Sequence, residues 1–247
     1  MCTLSWVPLP GGYALAMNRD ELRTRARAAP PTRRDLNGVP VLLPADGQAG
    51  GTWISANALG HSLALLNRWD EAPFDATGGF VSRGMLVLEL AHLPGPRAVA
   101  LTLAKKRLAS YRPFTLTSLM TDEPPWLFEW NGRMLEWARV AAPGLVRASS
   151  GSDQAEAERE RGRLFREAAA RPGGLTPEIL WALHRSHLPE RGPISICMHR
   201  DEAATVSASL ITASLKHMSF RYLGRSPCES TAPTEFSLER AFAEGAP

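Results

Sequence analysis

Residues 2–21 read CTLSWVPLPGGYALAMNRDE, and they carry the first strong structural pattern in the chain. Its first part, Cys2–Leu9, is rich in residues that favour β-strands. The following Pro10-Gly11-Gly12 is a turn signal, because glycine adopts a positive φ without steric cost. Tyr13–Asn18 then returns as a second strand, so the stretch predicts a β-hairpin. The second strand ends on a polar tetrad, Asn18-Arg19-Asp20-Glu21.

The remainder of the chain predicts alternating groups of strands and helices. Tight turns join most strands, and Asn131-Gly132 is the clearest of them, since Asn-Gly favours a type I′ turn. Further strands are expected at Gly51–Ala56, His61–Asn67, Phe114–Met120, Trp126–Trp130, Arg133–Trp137, Ile194–His199, Ala204–Ile211 and Lys216–Leu223, and helices at Ser82–Leu93, Pro96–Leu108, Gln154–Ala170 and Thr176–His187. This order indicates an α+β fold with largely antiparallel sheets.

Two stretches carry no strand or helix pattern. Residues 22–48 are rich in Arg, Pro and Gly, and we expect a long surface excursion there. The segment from about residue 226 is rich in Ser, Pro and Thr, which predicts an irregular tail. Since no internal repeat or linker is visible, we expect residues 1–247 to form a single domain.

The charge pattern argues against a nucleic-acid-binding protein. The chain has 28 Lys and Arg against 25 Asp and Glu, a formal net charge of +3. The densest basic clusters, Arg19–Arg34 and Lys105–Arg107, lack the interleaved aromatic residues of nucleic-acid-binding strips. These clusters, like the charged helix expected at Gln154–Ala170, fit a solvated surface. Attraction of an anionic substrate is the alternative.

The sequence predicts a cytoplasmic protein without an integral membrane segment. No run of about 18 apolar residues occurs. The start lacks the basic region of a signal peptide, and Pro8 and Pro10 interrupt its apolar stretch. Three cysteines without regular spacing argue against a disulfide framework and suit a reducing compartment.

Cys2 is the first candidate for chemistry. Its side chain is small, so removal of Met1 is expected, and removal would leave an α-amine and a thiol on one residue. The α-amine titrates at about 7.7–8.0 and can act as a general base near neutral pH. The thiolate is the attacking form of cysteine. One residue could therefore supply both nucleophile and base; the alternative is a small apolar residue that begins a strand.

The polar tetrad strengthens this interpretation, because the hairpin brings it opposite Cys2. An arginine could stabilise a thiolate or an oxyanion, and a carboxylate could hold the α-ammonium. A helix N-terminus with acidic residues would explain Asp20 and Glu21, but not Asn18 and Arg19. Strand alternation places Asn18 and Asp20 on one face and Arg19 and Glu21 on the other. The pattern leaves open which pair faces Cys2.

Four motifs together resemble the NRDE family, which includes the transport and Golgi organisation protein 2 homologues. These motifs, all within about residues 1–70, are Met1-Cys2-Thr3, Asn18-Arg19-Asp20-Glu21, Gly50-Gly51-Thr52-Trp53 and Ala64-Leu65-Leu66-Asn67. The family is similar to N-terminal-nucleophile hydrolases of the choloylglycine hydrolase and penicillin acylase type. The resemblance implies a four-layer αββα sandwich and a cysteine nucleophile that acts on amide bonds.

The resemblance also assigns site residues. It makes Cys2 the nucleophile, places Arg19 and Asp20 at the strand end where the hydrolases keep an Arg and an Asp, and matches Asn67 to their oxyanion hole. Residues 148–152, where a second Asn is expected, read Ala-Ser-Ser-Gly-Ser. The predicted catalytic set is Cys2, Asn18, Arg19, Asp20, Glu21 and Asn67, and the predicted substrate-binding set is Gly51, Thr52 and Trp53. A turn into a strand, with the tryptophan in the core, is the alternative for the second set.

No metal site and no cofactor are predicted. His184 and His187 are three residues apart on an expected helix, but no Glu or Cys completes a zinc set with them. Cys197 is expected in the core, and Cys228 has no visible partner. The leading hypothesis is a hydrolase or acyltransferase for a small-molecule amide or acyl substrate. The alternatives are a haem or acyl-CoA/lipid binding and trafficking protein on the same scaffold, and a catalytically silent relative.

Overall fold

The computed structural model describes residues 2–69, 79–121, 123–150, 154–229 and 231–241. The strands in this part of the chain are β1 Cys2–Leu9, β2 Gly12–Leu22, β3 Ala29–Leu36, β4 Val39–Ala45, β5 Ile54–Asn57, β6 Ser62–Asn67, β7 Phe114–Leu119, β8 Trp126–Trp130, β9 Leu135–Arg139, β10 Gly144–Ser149, β11 Ala203–Ala213, β12 His217–Leu223 and β13 Thr234–Glu239. The α-helices are α1 Arg83–Leu90, α2 Pro96–Ala104, α3 Gln154–Ala169 and α4 Pro177–His184.

The strands form two antiparallel sheets, and the predicted opening hairpin lies at the centre of the first. That sheet has six strands in the order β10-β1-β2-β11-β12-β13, and the second has seven in the order β3-β4-β5-β6-β7-β8-β9. The turn from β1 to β2 requires glycine. Gly11 has a φ of 68°, and a Cβ on Gly12 would lie only 1.9 Å from the carbonyl oxygen of Ala213 on β11.

The two sheets pack face to face between two layers of helices. Leu4, Leu15 and Met17 of the first sheet share a buried cluster with Ile54 and Leu66 of the second. A second buried cluster joins α1 and α2 to the outer face of the second sheet. A third joins α3 and α4 to the outer face of the first sheet. The chain therefore has the four-layer αββα architecture that the sequence motifs imply.

The helices follow the sequence closely. The predicted cap of α4 is present, since the Thr176 hydroxyl accepts a hydrogen bond from the Ile179 amide at 3.2 Å. In the described part of the chain, no helix has both the length and the apolar character that a bilayer crossing requires.

Five local expectations are wrong. The hairpin at Asn131-Gly132 has a four-residue loop in place of a type I′ turn, because Trp130 pairs with Leu135 and Asn131 lacks the positive φ that this turn requires. The excursion at residues 22–48 contains β3 and β4, joined by a turn in which Asn37 and Gly38 have positive φ. The tail beyond residue 226 contains β13, which pairs with β12. Ile194–His199 is not a strand, and its strand-type pairing with β11 is limited to an isolated bridge from His199 to Ala204. Helix α3 is not exposed throughout, because it buries a face that includes Leu164 and Phe165.

Candidate active site

Cys2 begins β1 and lies between two neighbouring strands. It is opposite Arg19 on β2 and opposite Ser149 on β10. Only 9% of the residue is exposed. Burial raises the pKa of the Cys2 thiol above its ordinary value, Asp20 raises it further, and Arg19 opposes this shift. The thiol is therefore protonated at neutral pH, and attack on a substrate requires a base.

The pleat of β2 places Arg19 and Glu21 on the same face as Cys2. Leu15 and Met17 project into the core between the sheets, and the next alternate positions on that face are residues 19 and 21. The side chain of Asn18 projects to the opposite, helix-covered face. Its Nδ2 donates hydrogen bonds to the carbonyl oxygens of His184 (2.8 Å) and Ile196 (2.9 Å).

A cavity of about 610 Å³ opens at Cys2. Every predicted site residue except Asn18 lines this cavity: Cys2, Arg19, Asp20, Glu21, Gly51, Thr52, Trp53 and Asn67. The chain thus brings together the strand end of β2, the entry to β5 and the end of β6. Asn18 instead attaches helix α4 to the sheet beneath the cavity.

Arg19 is held in place by groups on other elements. Its guanidinium lies 2.5 Å from Asp46 and 3.2 Å from Glu21, and it stacks 4.5 Å from the ring centre of Trp53. Asp46 also pairs with Arg25 at 2.9 Å. Burial alone would raise the pKa of Asp46, but the hydrogen bonds from Arg25 and the Ala49 amide, with the charges of both arginines, hold it below its ordinary value. Asp46 is therefore ionised, and it fixes the arginine beside Cys2.

Asp46 was not found from the sequence. It lies just after β4, within the stretch predicted as a loop, where its carboxylate accepts hydrogen bonds from the amides of Gln48 and Ala49. An Asp followed by Gly and polar residues is a signal for such a turn. The sequence gives no sign of its long-range partner, Arg19.

Asp20 and Arg161 are both buried beneath Cys2. Asp20 is 3% exposed, and its Oδ1 accepts a hydrogen bond from the Thr205 hydroxyl at 2.6 Å. Burial raises the pKa of Asp20, while Arg161 opposes that shift. The fully buried Arg161 donates to the Thr3 hydroxyl at 2.7 Å. Because Thr3 follows Cys2, this contact ties helix α3 to the start of β1.

Arg161 was also missed, because helix α3 was expected to be exposed. The signal lies in the helical spacing. Ala157, Arg161, Leu164, Phe165 and Ala168 are all buried, and they repeat at intervals of three and four residues. An arginine on such an apolar face requires buried acceptors. Arg161 has them in the Thr3 hydroxyl and the carbonyl oxygens of residues 194 and 195.

A close approach of two backbones forms one wall of the cavity. A Cβ on Gly51 would lie 2.5 Å from the carbonyl carbon of Gly84, and the Thr52 amide donates to the Gly84 carbonyl at 3.0 Å. Gly51 therefore lets α1 pack against the entry to β5. This packing brings Arg83, the first residue of α1, to the cavity wall.

Among the described residues that line the cavity, positive charge is in surplus. The arginines in this set are Arg19, Arg25, Arg83 and Arg112, and the carboxylates are Asp20, Glu21 and Asp46. None of the ion pairs between described residues includes Arg83 or Arg112. Burial and then repulsion from Arg112 lower the pKa of Arg83 to about 10. It is still protonated at neutral pH.

Asn67 reaches the site from the second sheet. It ends β6, and its carbonyl oxygen accepts a hydrogen bond from the Ser149 hydroxyl at 2.6 Å. Ser149 lies opposite Cys2 on β10. The two sheets are thus joined beside the thiol, and the serine occupies the region where the hydrolases were expected to contribute a second Asn.

Solved structures with the same fold include three N-terminal-nucleophile hydrolases. Penicillin V acylase from Agrobacterium tumefaciens has a TM-score of 0.51 at 9% identity, over 97% of this chain and 86% of that chain. A mutant conjugated bile acid hydrolase from Clostridium perfringens has a TM-score of 0.57 at 10% identity, over 97% of this chain and 92% of that chain. The Caenorhabditis elegans N-acylethanolamine-hydrolyzing acid amidase ortholog has a TM-score of 0.60 at 9% identity, over 85% of this chain and 92% of that chain.

The family is identified from sequence. No curated protein matches the chain significantly. A profile of the family described as Transport and Golgi organisation 2 matches residues 1–153, which include β1 to β10 and all the described residues that line the cavity. The motifs around Cys2, the polar tetrad and Asn67 all lie inside this match. The chain therefore belongs to the Transport and Golgi organisation 2 family and has an N-terminal-nucleophile hydrolase fold.

Proposed function

We propose that the protein is an amide hydrolase or acyltransferase whose nucleophile is the Cys2 thiol. The observation that carries this proposal is the position of Cys2 at the start of β1, open to a cavity lined by Arg19, Asp20 and Asn67. The fold is that of a penicillin acylase, a bile acid hydrolase and an acid amidase. The mechanism requires maturation that leaves Cys2 as the first residue.

The proposed reaction has two steps. The α-amine of mature Cys2 takes the thiol proton, and the thiolate attacks the amide carbonyl. The tetrahedral intermediate collapses when the C–N bond breaks. The leaving amine takes the proton, and a thioester remains on Cys2. Water then attacks the thioester to release a carboxylic acid and regenerate the thiol; a second amine in place of water would give acyl transfer.

Each neighbouring group has a role that follows from its charge and position. Asp20, buried beneath Cys2, is the counter-ion for the α-ammonium that forms after proton transfer. Arg19 provides positive charge on the side of the cavity that Cys2 faces. Asn67 supplies an amide donor for the oxyanion. A donor of that kind is worth about 10²–10³-fold in kcat in a serine protease.

The positive surplus suggests the class of substrate. Arg83 and Arg112 line the cavity and form no ion pair with a described carboxylate. We propose that they bind an anionic group of the substrate, which would place the scissile amide between these arginines and Cys2. The bidentate guanidinium suits a carboxylate, sulfonate or phosphate.

The proposal is tested by mass and by covalent labelling. Intact mass should show loss of Met1, and a cysteine-reactive acyl probe should label the peptide that contains Cys2 and not the one that contains Cys228. Cys2→Ala should abolish labelling and amide turnover while it retains the wild-type circular dichroism spectrum. Retained Met1, or a label on Cys228 that survives Cys2→Ala, would refute the mechanism.

A binding titration, carried out beside the labelling experiment, addresses the alternative of a haem or acyl-CoA/lipid binding protein on this scaffold. That protein would saturate with haem or acyl-CoA in an absorbance or calorimetric titration, and Cys2→Ala would not change the affinity. Saturable binding without any acyl-enzyme in the wild type would favour this alternative over the hydrolase.

A further inference from the structure

A second cluster of reactive side chains lies apart from the Cys2 cavity. The nitrogens of His187 and His199 and the sulfurs of Cys197 and Cys228 all lie within 4.8 Å of one another. His187 follows α4, Cys197 and His199 precede β11, and Cys228 lies between β12 and β13. None of these residues lines the Cys2 cavity.

The distances within this cluster are those of a tetrahedral metal site. The two histidine Nε2 atoms are 3.2 Å apart, and the Nε2 of His199 lies 3.5 Å from the Cys228 sulfur and 3.7 Å from the Cys197 sulfur. A tetrahedron with Zn–N of about 2.0 Å and Zn–S of about 2.3 Å has edges of roughly 3.3 Å between nitrogens and roughly 3.5 Å between nitrogen and sulfur. The observed spacings agree with both values.

We propose that His187, Cys197, His199 and Cys228 bind one zinc ion. Two thiolates and two neutral imidazoles give a neutral complex with Zn²⁺, and this tetrahedral donor set favours zinc over the oxygen-binding cations. Four protein ligands leave no open position, so the site is structural. It holds no substrate and takes no part in the amide chemistry.

The surroundings of the cluster suit a metal site. The Ser226 hydroxyl lies 3.3 Å from the Cys228 sulfur and 3.8 Å from the Cys197 sulfur, where it can donate to a thiolate. Arg185 donates to the Pro227 carbonyl at 2.9 Å, which joins the segment after α4 to the segment that carries Cys228. Cys197 is fully buried, so solvent is excluded from that side.

The ion would fix a segment that has little regular structure of its own. Residues 185–202 connect α4 to β11 without a helix or a strand. Their carbonyls are acceptors for two buried side chains beneath Cys2: Arg161 donates to Ser195, and Asn18 donates to Ile196. Zinc at the end of this segment would therefore support the packing under β1 and β2.

The experiment begins with metal analysis of the purified full-length protein. One zinc per chain is expected, and Cys197→Ser or Cys228→Ser should lower this content at least tenfold. His217→Ala removes an exposed histidine outside the cluster, and Cys2→Ala removes the remaining cysteine. Both controls should retain one zinc, and the second separates this proposal from the function of the Cys2 site.

A spectroscopic measurement keeps the test independent of how well the variants fold. Wild-type protein stripped of metal should bind one cobalt ion with the ligand-field and thiolate charge-transfer bands of a tetrahedral site, and zinc should displace them. Folded wild type that binds neither metal at one equivalent, or a disulfide between Cys197 and Cys228 in the native protein, would overturn the proposal. Equal zinc content in the wild type and in both serine variants would do the same.

Discussion

Cys2 and Arg19 lie directly opposite one another in the antiparallel pair of β1 and β2. Side chains at directly opposed positions project from the same face of a sheet, so Arg19 and the thiol face the same cavity. The guanidinium charge is already shared with Asp46 and Glu21, and its flat face rests on Trp53. The arginine is thus a fixed cation at the cavity, held by residues from other strands and loops.

The first prediction concerns Asp46→Asn, which removes the main partner of Arg19 and leaves the turn acceptor in place. Two arginines then lose their buried counter-ion, and we expect the free energy of unfolding to fall by about 2–4 kcal/mol. Release of Arg19 should lower kcat/KM for an amide substrate about tenfold. Urea unfolding and steady-state kinetics measure the two effects. Asp35→Asn, at an exposed position near the end of β3, is the control and should match the wild type in both.

The second prediction concerns the anionic group of the substrate. Arg112→Gln should raise KM about fivefold for substrates that carry a carboxylate or sulfonate, because an exposed charge pair is worth about 1 kcal/mol. A matched neutral amide should show no such increase. Arg33→Gln, on the exposed edge strand β3, is the control. An equal effect on charged and neutral substrates would contradict the assignment of this wall to an anionic group.

The sequence predicted the parts of the fold that have strong local signals. The opening hairpin, the hairpin that joins Trp126–Trp130 to the strand after Asn131-Gly132, and the capped helix α4 each depend on neighbouring residues. Four strands were missed entirely, and three of them, β3, β10 and β13, are edge strands. The fourth, β4, lies inside its sheet but is bracketed by Pro40 and Pro44, which weaken its strand pattern. An edge strand has one neighbour and an exposed side, so it needs no continuous apolar pattern. The fourth edge, β9, was predicted only because the Asn-Gly turn precedes it.

The candidate site, like the fold, was predicted where the signal is local and missed where it depends on long-range contacts. Strand alternation identified two possible faces of the tetrad, and the choice between them depended on which face of β2 the second sheet covers. Asp46 and Arg161 reach the site through contacts between elements far apart in sequence. The converging cysteines and histidines were invisible for the same reason, because no short spacing links His187 to Cys228.

The third prediction contrasts two asparagines that the sequence placed in one catalytic set. Asn18 bonds the carbonyls of His184 and Ile196, and its Oδ1 lies 3.0 Å from the His184 Nδ1. Asn18→Ala would leave these buried groups without partners, so we expect a loss of roughly 3 kcal/mol or more of unfolding free energy. Asn67→Ala should lower kcat about 100-fold and change stability by less than about 1 kcal/mol. Denaturant unfolding and kinetics on both variants would show the opposite pattern if their roles were exchanged.

The last prediction is loss of stability in weak acid. Burial lowers the pKa of His61 to about 4 and that of His184 to about 3. Both histidine side chains are fully buried, and each forms a hydrogen bond with a serine hydroxyl. His61 bonds Ser118 at 2.6 Å, and His184 bonds Ser5 at 2.8 Å. The unfolded chain binds these protons near its ordinary histidine pKa of about 6.5, so it gains protons that the folded chain does not.

The sign follows from this difference in proton uptake. The free energy of unfolding has its full value above about pH 6.5. It falls as the pH drops towards the histidine pKa values of the folded chain, by about 2 kcal/mol per histidine at about pH 5. Urea unfolding across this range measures the slope. His184→Gln should be less stable at neutral pH but lose less with acid, while the exposed His217→Ala should keep the wild-type slope. An unchanged slope in His184→Gln would contradict this prediction, because it would mean that His184 takes up its proton over the same pH range in the folded and unfolded chains.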